Sequence, residues 1–86
     1  MRILLSAVIV VAAGPAFAQS TCEQLWYSRN AIFKEAGYCC KTTRAIRTFG
    51  NAGCQFDEQE DVPLSNRQRQ DVNDIQRAER ALRCPR

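Results

Sequence analysis

The residues best equipped for chemistry are five cysteines: Cys22, Cys39, Cys40, Cys54 and Cys84. Thiols at such spacings have three common uses: disulfides, a redox pair, or metal ligation. Redox pairs need an exposed low-pKa thiolate, usually in Cys-x-x-Cys, and the adjacent Cys39-Cys40 lacks that geometry. A zinc site is also a poor fit, because the chain has neither Cys-x-x-Cys nor any histidine. Disulfides remain, and five cysteines leave at least one without an intramolecular partner; leaving one out and pairing the other four gives fifteen possibilities.

The absent histidine also removes the usual general base near neutral pH, and with it Ser-His-Asp and Cys-His catalysis. Carboxylates could substitute only with a raised pKa in a cleft. Asp57, Glu58, Glu60 and Asp61 instead read as a solvated loop, without the alternating ligands and central glycine of an EF-hand. No catalytic residue, metal site or cofactor is assigned. Candidate ligand-binding residues are Tyr27, Arg29, Asn30 and Lys34, which could join an aromatic surface to a guanidinium and an amide for a ligand carboxylate. For Arg29 and Asn30 a structural reading is preferred. Asn30 would satisfy backbone groups after the first helix, and Arg29 would pair with an acid such as Asp57 or Asp61.

Elements that position these residues follow from periodicity and caps. Thr21 with Gln24 forms a capping pattern. Leu25, Arg29, Ile32 and Ala36 recur at helical spacing with Trp26 and Phe33 alongside, and Gly37 supplies a stop. A first helix is expected over 22–36. Thr42 or Thr43 caps a second to Phe49, with Ala45, Ile46 and Phe49 as its apolar face and Gly50 as its end. Asn51-Ala52-Gly53 is turn material, and Phe56 is expected to anchor the acidic loop inward. Ser65 and Gln68 form a capping box. Val72, Ile75, Ala78 and Leu82 then trace a third helix over 66–83, with a Glu79–Arg83 pair on its surface. The fold class is therefore all-α, a small three-helix domain stapled by two disulfides.

Antiparallel first and third helices bring Cys22 to Cys84, while Cys39 and Cys54 flank the second. In the chain-entropy model such loops are worth about 4 and about 3 kcal/mol. Cys40 is the unpaired residue. Its open roles are a buried small hydrophobe, a free thiol, or an intermolecular bond giving a Cys40-linked dimer, with burial preferred.

Cysteine usage agrees with the N-terminus. Arg2, the apolar run Ile3 to Ala13, Gly14-Pro15 and the small residues of Ala16-Phe17-Ala18 make residues 1–18 a secretory signal peptide, cleaved after Ala18. The run is short for a membrane span of about 20 residues. All five cysteines follow it, as an oxidising compartment requires. Residues 19–86 form one domain, too small to depend on its core alone. Without Arg2 it holds 11 of the 12 Lys+Arg against 9 Asp+Glu, too little net charge to argue for nucleic acid or an anionic membrane.

Arg29-Asn30-Ala31-Ile32-Phe33 followed by Gly37-Tyr38 resembles the YARHG domain, a small family of exported bacterial modules. Its usual pattern is Arg-Asn-x-Ile-Tyr, then Ala-Arg-His-Gly, an aromatic, one free position and Phe. Phe49 sits where the family keeps an aromatic in its second helix. Leu64-Ser65 with Val72-Asn73 and Ile75 is similar to its closing segment. Phe33 replaces the signature tyrosine, Lys34-Glu35-Ala36 replaces Ala-Arg-His, and Cys40 replaces the final Phe, which supports a core position for Cys40. The resemblance implies an exported domain, often at the cell envelope, and carries no activity to transfer. The expected role is a noncatalytic binding or structural module of the envelope, periplasmic or extracellular, with an envelope polymer or protein as partner. The alternative is a small periplasmic redox or hydrolytic accessory enzyme.

Overall fold

In the computed structural model, which describes residues 15–85, α1 runs Pro15–Glu35, α2 Thr43–Phe49 and α3 Asn66–Ala81. A single 3-10 turn, Gln59–Asp61, interrupts the long connection to α3. The charged start and apolar run expected of a leader lie outside the described residues.

α1 is already helical seven residues before the expected Cys22, and Thr21 lies inside the helix instead of capping it. The physical reason is that nothing between Pro15 and Thr21 opposes helix: Ala16, Ala18 and Gln19 are good formers. The other two starts follow their caps. The Thr42 hydroxyl accepts from the Ala45 amide at 3.1 Å. Ser65 Oγ accepts from Gln68 N at 3.0 Å, while Ser65 N donates to Gln68 Oε1 at 2.9 Å, completing the capping box.

The core is small. Phe33 on α1, Val62 from the loop and Val72 on α3 are buried, with Ile32, Ala36, Tyr38, Phe56 and Leu64 packed around them. Phe33 meets Tyr38 edge to face, centroids 5.9 Å apart. Phe56 thus anchors the loop as expected. Two helix residues do not join the core. Ile46 is 43% exposed, because the seven-residue α2 packs mainly through Ala45 and Phe49. Leu82 is 39% exposed, because α3 has already ended and Leu82 is its C-cap.

Two disulfides complete the frame, Cys22–Cys84 and Cys39–Cys54. The first ties the early part of α1 to the residue just beyond α3 across 62 positions. The second ties the exit of α1 to the residue before Gln55 and Phe56. Beside it, the Asn51 side chain grips the backbone of Cys40 twice. Its Oδ1 accepts from Cys40 N at 2.6 Å, and its Nδ2 donates to Cys40 O at 3.0 Å. Cys40 is the free cysteine, and it is buried. A buried thiol should resist alkylation in the native protein and react once on unfolding without reductant. Intact mass should then show a single adduct; three or more would contradict the two-disulfide pairing.

Gly37 makes the turn out of α1. Its φ of 105° is a region that L side chains rarely adopt, and a Cβ there would lie 3.1 Å from two atoms of the Phe56 ring. The close approach serves pairing. Gly37 O accepts from the amides of Gln55 and Phe56, and Cys39 N donates to Phe56 O at 2.7 Å. Tyr38 and Phe56 form an isolated parallel bridge. Gly37→Ala should therefore lower unfolding free energy by about 1–3 kcal/mol, read from a urea titration of the disulfide-bonded protein.

Candidate functional site: the two flanks of the first helix

α1 lies against α3, and the contact between them leaves a groove on each flank. Successive helical residues turn about 100°, so Tyr27 and Arg29 point to nearly opposite sides of α1. The four candidate ligand-binding residues therefore do not converge.

Arg29 faces α3. Its Nε donates to Glu79 Oε1 at 2.8 Å and its terminal nitrogen to Oε2 at 3.0 Å, a bidentate fork. The pair is mostly shielded, with side-chain exposures of 22% and 15%. Arg29 thus has a structural partner, but it is Glu79 and not Asp57 or Asp61. Both of those are exposed, and Asp57 lies 3.6 Å from Lys41. Glu79 is accordingly not the partner of Arg83. Asn30 likewise stays within its own helix, donating from Nδ2 to Trp26 O at 2.9 Å, and does not serve the following loop. Lys34, one turn further, is half-buried and has no ion-pair partner among the described residues.

Tyr27 faces outward at 53% exposure, its ring centroid 5.0 Å from that of Phe49. Trp26 also meets Phe49, centroids 6.1 Å apart. The Arg44 guanidinium lies 3.7 Å from the Trp26 ring centroid, a cation–π contact that fixes a cation beside the aromatics. Trp26 is only half-buried. α1 and α2 thus build an aromatic surface from Trp26, Tyr27 and Phe49, with Arg44 at its edge. Below it, an open groove of about 490 Å³ runs between Ala31 and Ile32 of α1 and Ile75 of α3. Arg44 and Phe49 were absent from the candidate ligand set, since no spacing rule links them to Trp26. The aromatic at Phe49, the apolar residue nearest the end of α2, was the available signal.

The acidic run stays on the surface, and among the described residues no three or more Cys, Asp or Glu side chains gather as a metal group. No described helix is long and apolar enough to cross a membrane.

Fold and geometry define a small helical domain held by two disulfides, with open grooves on its surface. The family model of the YARHG domain matches residues 2–80, and the chain belongs to that family. No curated protein and no solved structure matches it. The residues carrying the family pattern turn out to be architectural. Arg29 clamps α3, Asn30 closes onto its own helix, Ile32 and Phe33 fill the core, and Gly37 and Tyr38 make the paired exit.

Removing one partner of the Arg29–Glu79 fork strands a partly shielded charge. Arg29→Ala and Glu79→Gln should each cost about 1–3 kcal/mol. The double variant should cost less than their sum, measured as a chemical-denaturation cycle.

Proposed function

We propose that this protein is an exported, noncatalytic module of the cell envelope that binds a polymer or protein through the surface formed by Tyr27, Phe49, Trp26 and Arg44. Export is supported by the leader pattern of residues 1–18 and by two disulfides, which persist in oxidising compartments. Cleavage after Ala18 leaves Gln19 as the first residue. The observation that carries the binding role is the exposed Tyr27 ring, held in place by Phe49. An exposed aromatic held by its neighbours loses little side-chain freedom on binding, which suits recognition.

Noncatalytic action is favoured over a redox or hydrolytic role by the same frame. Cys39 is engaged with Cys54, and Cys40 is buried, so the adjacent pair presents no accessible thiolate. The chain has no histidine to act as a base. Periplasmically produced protein should have an intact mass beginning at Gln19. It should be retained by isolated peptidoglycan at low salt, less so at high salt, and Tyr27→Ala should lower retention several-fold without lowering the melting temperature. Loss of retention in the wild type at low salt removes the polymer and leaves a protein partner or a purely structural role.

A further inference from the structure

The flank of α1 opposite Tyr27 carries a second surface. Where α3 ends, Arg29, Gln76, Glu79, Arg80 and Arg83 line an open groove of about 580 Å³ that closes at Cys84 and Pro85. Three arginines therefore line the groove with one carboxylate residue, Glu79, whose carboxylate is already held by Arg29. Arg80 and Arg83 are exposed and have no ion-pair partner among the described residues.

The backbone at Arg83 adds an independent observation. The Cys84 amide donates to Glu79 O at 2.9 Å and the Arg83 amide to Arg80 O at 3.1 Å. These two bonds are the Schellman closure of a helix, whose left-handed position is normally glycine. Here that position is Arg83, with φ 56°, the only non-glycine residue of positive φ among those described. A side chain with a Cβ is disfavoured there. The helix dipole accounts for a cation near a C-terminus, but it does not require one at the position where glycine fits best.

We infer that this groove is an oxyanion-binding site, in which Arg80 and Arg83 take a carboxylate or phosphate group of a ligand and Gln76 lends an amide. Planar guanidinium forks match such anions bidentately, which an ammonium cannot do. The inference does not depend on Tyr27, which lies on the other flank of α1, though Trp26 and Arg44 line an adjoining pocket that shares Glu79 and Pro85 with this groove.

The test uses the disulfide-bonded protein recovered from the periplasm, titrated with citrate, with pyrophosphate, and with sodium chloride at matched ionic strength. The readout is the NMR signals of the arginine Nε–H groups. Saturable shifts of Arg80 and Arg83 are expected with at least one polyanion and not with chloride. The stronger of the two anions identifies carboxylate or phosphate as the source. Arg83→Gly should raise the melting temperature while weakening binding about tenfold, and Arg80→Gln should weaken binding to a similar degree. Shifts spread evenly over all arginines, or reproduced by chloride, would overturn the inference. So would unchanged affinity in Arg83→Gly, or a lower melting temperature in that variant, since Arg83 would then serve the fold.

Discussion

The contact between α1 and α3 is the constraint on which the rest depends. It is held covalently at Cys22–Cys84 and electrostatically at Arg29–Glu79. Few side chains are well buried, and those of the central cluster come from three separate segments. Such a core recovers little of the chain entropy lost on folding. The long-range disulfide reduces that loss by restricting the unfolded chain, on the entropic account. The ion pair then fixes register, since a bidentate fork tolerates little sliding of one helix past the other.

Around this pair, the connection from α1 to α3 is fastened wherever it would otherwise drift. Gly37 lets the chain turn sharply enough for Phe56 to pack over it. Cys39–Cys54 and the two hydrogen bonds between Asn51 and Cys40 pin the same exit. Val62 and Leu64 return the loop to the core just before α3 begins. Cys40 sits inside this fastening, which explains how an unpaired thiol is tolerated in a crosslinked domain: burial keeps it from exchanging with the disulfides.

A consequence of so narrow a scaffold is that α1 is used on every side. One face fills the core through Phe33, another clamps α3 through Arg29, and a third presents Tyr27 to solvent. The grooves that result lie open on the flanks of α1.

Much of this was legible from the chain alone. The Thr42 and Ser65 caps are local, within three residues, so sequence spacing specifies them. The pairing of cysteines followed from helix order, because antiparallel neighbours bring the start of one to the end of the other. Only the tertiary structure decided which acid Arg29 meets, since Glu79 lies 50 positions away and several acids were chemically equivalent. It likewise turned Ile46 outward and set Arg83 in a left-handed turn. Periodicity can tell that a helix has an apolar face. It cannot tell how much of that face a partner covers, because coverage depends on the distance and angle at which two helices are finally held.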